Sequence, residues 1–272
     1  MKEFKSHFSY DFNFKWWKQS PAGTIAYVKP GGNGPDSIKS ITTTEGSVEL
    51  RYAPHEQFYI GKLYRVPIYN KYPIFSLLYT AGVKGPFGGE YNYHNLQFLF
   101  FKRFYEGPLG YTDITTDMGY LIGKVPFPLL DIHHANQTFA LQLQSYNLMN
   151  FLEFVSDHYA SAYVDHYFNG FFFNKIPFLK ELKWREVIEA KILYGGVRDE
   201  NNPLKSPDVM KYPLTNGKTE TFSIDRVPYI EGGFGIMNIF KVIRVDYIQR
   251  FTYTDHPEIS KWGIRARAKF DF

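Results

Sequence analysis

Residues 261–272 (KWGIRARAKFDF) alternate between apolar and polar positions without interruption. Trp262, Ile264, Ala266, Ala268, Phe270 and Phe272 share one face of an extended strand, and Lys261, Gly263, Arg265, Arg267, Lys269 and Asp271 share the other, because successive side chains of a strand point to opposite sides. Residues 239–253 repeat the pattern, with Ile243, Val245, Tyr247 and Phe251 opposite Arg244, Asp246 and Arg250. In 227–236, Ile230, Gly232, Phe234 and Ile236 stand against Tyr229, Glu231, Gly233 and Gly235, and Met237-Asn238 reads as the turn that follows. The same period predicts strands over 183–194, 157–168, 110–122, 93–104 and 73–83. Val48, Leu50 and Tyr52, then Phe58, Ile60 and Leu63, predict shorter or kinked strands. Residues 1–45 form a poorly legible segment with a Gly/Pro-rich break at 30–35.

The expected connections alternate between short and long. Two long segments, near 123–156 and 195–226, are expected on one side, and the first is partly apolar (Phe127, Leu129, Leu130, Leu148, Met149, Phe151). Segment 169–182 is longer than a strict alternation expects. The count is about nine or ten strands, twelve at most, in a range where even-numbered barrels close.

Composition narrows the class. Aromatic residues make up 19% of the 272 residues, yet mean hydropathy is −0.33. A transmembrane barrel reconciles the two, because lipid-facing and lumen-facing residues alternate and aromatics gather at both interfaces. No apolar run approaches the ~18 residues of a spanning helix. The expectation is therefore all-β: a transmembrane antiparallel β-barrel over 46–272, or the C-terminal portion of a larger, possibly sixteen-strand one. Its place would be the bacterial cell outer membrane, among outer-membrane lipids. No apolar leader follows Met1, so a fragment lacking its export signal is expected. With no cysteine and a net charge of +4 in scattered positions, neither a thiolate site nor nucleic-acid binding is expected.

Two stretches carry a more specific resemblance. Residues 147–191 contain Asn147-Leu148-Met149, Glu153-Phe154, Ser156-Asp157, Phe168-Asn169-Gly170, Lys175-Ile176-Pro177 and Arg185-Glu186. The block resembles a bacterial outer-membrane barrel family of unknown function, whose full-length members carry a carboxypeptidase-regulatory-like β-sandwich before the barrel. The likeness extends more weakly over 50–272 and implies no peptidase activity. Gly233, Gly235, Asp246 and Phe272 more distantly resemble the end of the outer-membrane assembly-factor (surface antigen) superfamily. There a terminal aromatic strand closes a sixteen-strand barrel. That superfamily's Val-Arg-Gly-aromatic loop tip has no counterpart in 123–156, and Val197-Arg198 is followed by Asp199. A terminal Phe on a membrane-length strand resembles the signal read by the barrel assembly machinery, a partner the likeness implies.

Candidate chemistry is sparse. Glu231, Arg244, Asp246, Arg250, Arg265, Arg267 and Lys269 share the interior face of three consecutive strands. They suit either a lumen binding or conduction surface, or a paired network that satisfies a polar interior. His133-His134 lies two residues after Asp131 and has no third local ligand for a metal. His158 and His166 share a strand face but stand far apart along it. Ser156, Asp157, His158, Ser161, Asp165 and His166 cluster in sequence but scatter over two faces, with no nucleophile elbow. Residues 84–90 (KGPFGGE) do not precede a helix, so they are no phosphate cradle. Tyr91, Tyr93, Phe104, Tyr105, Tyr111 and Tyr120 at strand ends read as interface aromatics. The expected function is a non-enzymatic barrel in assembly, translocation or transport, without cofactor. The alternatives are a surface-exposed binding barrel acting through its long loops and, weakly, an outer-membrane hydrolase.

Overall fold

The computed structural model describes residues 2–23, 25–31, 34–61, 65–68, 71–215, 218–224 and 226–268. Among them, eleven strands form one sheet: β1 (Lys2–Glu3), β2 (Phe8–Gln19), β3 (Ile41–Tyr52), β4 (Ile74–Gly82), β5 (Tyr93–Tyr105), β6 (Tyr111–Ile122), β7 (His158–Tyr167), β8 (Arg185–Gly196), β9 (Tyr229–Ile239), β10 (Ile243–Arg250) and β11 (Trp262–Ala268). Each strand pairs antiparallel with the next, so the topology is a single meander. The sheet is linear, with β1 and β11 at its edges, and among the described residues it does not close. The long connections 20–40, 123–157 and 197–228 all leave from one end, which is also the end of the turns 83–92 and 251–261. The opposite end carries the tight turns 106–110 and 240–242 and two longer connections, 53–73 and 168–184.

The sheet is amphipathic in an inverted sense. Along β8, Val187, Glu189, Lys191 and Leu193 are buried while Ile188, Ala190, Ile192 and Tyr194 are exposed. Cross-strand register carries the inversion through the sheet. Lys191 faces Tyr163 and Glu231, whereas Ile192 faces Ala162 and Ile230. The covered face collects Glu49, Gln97, Asp117, Asp165, Glu189, Lys191, Glu231 and Asp246. The bare face collects Phe12, Leu50, Leu77, Leu96, Met118, Ile192, Phe234 and Ile264. Phe12 is 69% exposed, Ile192 40% and Trp262 58%. Trp16, Tyr79, Tyr120, Tyr194 and Trp262 stand on the bare face toward the long-loop end.

The buried apolar clusters lie elsewhere. One gathers Tyr27, Ile41, Tyr93, Leu121, Val125, Phe127, Val197 and Met210, so the three long loops pack on one another at the sheet end. A second joins Tyr146, Met149 and Phe154 of loop 123–157 to Tyr163, Leu193 and Tyr229 of the covered face.

Several local expectations change. Residues 1–45 hold a full strand, β2, in which Phe8, Tyr10, Phe12, Phe14 and Trp16 alternate with Ser9, Asp11, Asn13 and Lys15 until Trp17 and Lys18 reverse the pattern. The hairpin Val28–Gly31 and Gly34–Ser37 spans the Gly/Pro-rich break. Val48 to Tyr52 ends the long strand β3, and Phe58 and Ile60 fall in a separate hairpin strand, Gln57–Ile60, paired with Arg65–Ile68; Leu63 lies outside the described residues. Met237-Asn238 is no turn: β9 runs through it to Ile239, and a register shift between Ile236 and Ile239 breaks the period of two. Segment 168–184 is long because it contains a short helix, α1 (Pro177–Leu182). Gly110, at φ 95, sits where a Cβ would come within 1.8 Å of the Tyr167 carbonyl, so the β5–β6 turn requires glycine.

Candidate functional site: the polar face and its docked loop

Loop 123–157 returns across the covered face. Its two ends pair as Asp131–Ile132 with Phe154–Ser156, and the segment between is held by the charges of β8 to β11. The Glu231 carboxylate accepts the backbone N–H groups of Asn147 (2.7 Å) and Leu148 (3.0 Å) and the Tyr229 hydroxyl (2.8 Å). Lys191 stands 3.7 Å from Glu231 and donates to the carbonyls of Gln142 (2.9 Å) and Ser145 (2.7 Å). Arg250 grips Glu153 through two hydrogen bonds of 3.0 and 2.5 Å, and Glu153 also accepts from the Asn150 N–H. Arg265 donates to the Asn147 carbonyl at 2.8 Å. Charge-assisted bonds of this kind are the strong ones, and here they fasten a loop with no helix or strand between 133 and 153, only the isolated bridges of Ala135 with Tyr146 and Ala140 with Ala266.

The same loop also touches the sheet edge. The Leu141 N–H donates to the Ala266 carbonyl (2.8 Å), and the Ala266 N–H donates to the Phe139 carbonyl (3.0 Å). Two backbone groups on the outer edge of β11 are thereby satisfied from within the chain.

Arg244 has a different task. It chelates Asp246 on its own strand and reaches Asp165 and the Tyr167 hydroxyl on β7, both at 3.1 Å, with Glu189 at 3.7 Å. Gly235 makes this possible, since a Cβ there would lie 2.5 Å from the Asp246 carboxylate.

The structure thus brings Glu231, Arg244, Asp246 and Arg250 together as buried, paired groups. Arg265 is half-buried against the loop, and Arg267 is exposed beside Arg244 on the neighbouring strand. Trp262, Ile264, Ala266 and Ala268 line the bare face of β11; Lys269, Phe270 and Phe272 lie outside the described residues. Of the strand-end aromatics, Phe104, Tyr105 and Tyr120 are exposed. Tyr93 departs from the interface expectation, since it is buried on the covered face and donates to Glu45 at 2.6 Å.

The Ser, His and acid residues near 156–166 assemble no triad. Ser156 is fully buried and bonded to His133 at 2.9 Å. Asp157 joins His158, Arg198 and Asn201, and so ties the ends of β6, β7 and β8 to loop 197–228. Ser161 donates to the Asp117 carbonyl. A nucleophile needs access and an adjacent base, and Ser156 has only the second.

A cavity of about 340 Å³ opens on the covered face of β3 to β7, roofed by 131–134. Burial pushes the Asp131 carboxyl up to about 7 and holds His133 down at about 3. The partly apolar segment 123–156 is expected from the sequence to pack on something, and it does, but neither its docking place nor this cavity leaves a pattern in the sequence. The only sequence signal for the loop was its apolar content, because partners such as Glu231 and Asn147 lie too far apart in the chain for any pattern to link them.

No curated protein matches the chain. A family profile described as "Family of unknown function (DUF5686) C-terminal domain" matches residues 7–201, a span that takes in β2 to β8, the docked loop and the block 147–191. On that match the chain belongs to the DUF5686 family of unknown function, as its C-terminal domain.

Proposed function

We propose that this chain is the membrane-embedded part of a non-enzymatic outer-membrane β-barrel, or the C-terminal portion of a larger one, serving assembly, translocation or transport. The observation that carries the reading is the inverted sheet. Most of its charged side chains stand on the covered face, while large apolar or aromatic side chains are bare on β2 to β6 and β8 to β11, with Ala160, Ala162 and Val164 as the apolar residues between them on β7. Soluble monomers seldom expose a contiguous apolar patch beyond about 300–600 Å², whereas lipid requires this arrangement of side chains. The strands β5 (13 residues), β6 (12), β7 (10) and β8 (12) reach or exceed the ~9–11 residues of an oblique crossing. Trp16, Tyr79, Tyr120, Tyr194 and Trp262 suit a headgroup-level belt at the long-loop end.

A lipid-facing sheet needs its edges closed. Strands β2 and β11 run in opposite directions, so they, or further strands between them, can complete an even-numbered barrel once segment 139–141 gives up its two bonds to Ala266. The docked loop would then lie in the lumen as a plug, and transport would require it to move. Cell fractionation and heat-modifiable migration on gels test the reading. Recovery with the outer membrane and a folded band distinct from the boiled one support it. Recovery of folded protein in the soluble fraction would sink it.

A further inference from the structure

The bare face does not end with its strands. At the turn end of β7 it carries His166, which pairs with Thr112 and Ile188, and then Phe168 two residues on. The Phe168 ring packs against His166 with centroids 4.2 Å apart, and Phe172 packs on Phe168 at 5.1 Å. Glu186, two residues before Ile188 and so on the same face of β8, is buried and accepts the N–H groups of Phe172 and Phe173, both at 2.6 Å. The start of connection 168–184 is thereby folded onto the rim of the bare face.

From that rim the chain presents apolar side chains to the outside. Helix α1 buries none of its six residues. Phe178 is 68% exposed, and Phe172, Ile176 and Leu182 are exposed with it. Asn238 donates to the Lys183 carbonyl at 2.7 Å, which ties the neighbouring turn 240–242 to the segment, and Phe240 in that turn is 84% exposed. Cations are interleaved with these groups. Lys175 stands 4.2 Å from the Phe171 ring centroid, and Lys180, Lys183 and Lys241 are exposed. The covered face pairs Lys191, Arg244 and Arg250 with carboxylates, whereas these four lysines form no ion pair among the described residues. Within 171–184 the sole carboxylate is that of Glu181.

We propose that segment 171–184 and turn 240–242 form an interfacial foot that binds the headgroups of anionic phospholipids in the leaflet at the turn end. The proposal rests on the membrane-embedded reading and adds a lipid class to it. Phe, Ile and Leu interleaved with lysines fit the boundary between acyl chains and headgroups, where rings enter the apolar layer and ammonium groups stay at the phosphates. Lysines without a carboxylate partner select a negative surface. A leaflet also meets the foot and the bare face together, which the stack of His166, Phe168 and Phe172 makes one surface. A protein partner would have to cover the foot at the level where lipid begins.

The chain has no cysteine, so Phe178→Cys and Ile192→Cys variants each take a single environment-sensitive nitrobenzoxadiazole label. Each is refolded into vesicles of phosphatidylcholine alone and of phosphatidylcholine mixed with phosphatidylglycerol. The label at 192 should report acyl-chain surroundings in both. The label at 178 should shift to the blue and resist aqueous dithionite in the mixed vesicles, and much less in phosphatidylcholine. A lysine beside an anionic surface shifts such a partition about fivefold. Adding Lys175→Gln, Lys180→Gln and Lys183→Gln together should therefore cut the preference for the mixed vesicles about tenfold or more, with the label at 192 unchanged. High salt should do the same, and it carries the comparison if the triple variant does not refold. A label at 178 that is water-exposed in both vesicles, or equally shielded in both, while 192 reports lipid, overturns the foot and leaves the barrel standing. Water exposure at both positions in folded protein overturns the barrel reading and the foot with it. Shielding at 178 that grows with protein concentration in detergent assigns the surface to a second copy of the chain and likewise overturns the proposal.

Discussion

At the scale of single residues, the covered face depends on pairs whose members are expensive to separate. Glu231→Gln leaves Lys191 buried opposite a neutral amide and weakens the grip on the Asn147 and Leu148 N–H groups. The expected loss is about 3 kcal/mol, the range for breaking a buried pair from one side. Adding Lys191→Met should restore much of it, since replacing both members of such a pair is often near neutral. Chemical denaturation of the four members of this cycle measures the coupling, and strict additivity would contradict it.

Two loop residues make opposite contributions to the pH dependence. Asp131 has a folded value of about 7 against an ordinary 3.8, so the folded state holds its proton longer. Its contribution to stability therefore falls as pH rises from about 4 to 7. His133 has a folded value of about 3 against 6.5. The unfolded state binds that proton more readily, so stability rises with pH from about 3 to 6.5. Asp131→Asn should show the rise without the opposing fall, and His133→Asn the fall without the rise. Unfolding free energies collected between pH 4 and 7 distinguish them, and identical profiles would refute both assignments.

At the scale of elements, the strands and the bounds of the two long loops are legible in the sequence, whereas what the loops dock against is not. The period of two in β8 or β11 is a local signal, set by which side of the backbone each Cβ leaves. Neighbouring residues suffice to find it. Met237-Asn238 has the look of a turn because the irregularity between Ile236 and Ile239 shifts the alternation there. The site was legible in part for the same reason. Glu231, Arg244, Asp246 and Arg250 could be put on one face from spacing alone. What they hold could not, since Arg250 meets Glu153 and Glu231 meets Asn147 across most of a hundred residues. The Phe139–Leu141 segment is such a long-range element. Its pairing with Ala266 predicts that Leu141→Pro, which removes the donor to the Ala266 carbonyl, exposes the edge of β11. Faster amide exchange at Ala266 and a tendency to oligomerise should follow. Unchanged exchange there would show that the loop does not guard that edge.

At the scale of the whole molecule, the inverted sheet sets the two environments. A bare face of Phe12, Leu50, Leu96, Met118, Ile192, Phe234 and Ile264 is costly in water and needs no further partner in lipid. Charge placed in its middle should therefore be punished by a bilayer. Ile192→Arg is expected to lose about 2–4 kcal/mol of stability in vesicles, while Arg at the exposed loop position Leu204 should be nearly silent. The most direct measurement uses depth-dependent quenching. A chain stripped of its native tryptophans receives one reporter, Ile192→Trp on the bare face or Tyr163→Trp on the covered face. Both are refolded into vesicles whose lipids carry bromine at mid-chain. A lipid-facing sheet predicts strong quenching of the reporter at 192 and little at 163. Equal quenching at both positions, or none at 192 in folded protein, would contradict the membrane-embedded reading and turn the bare face into a surface that another protein covers.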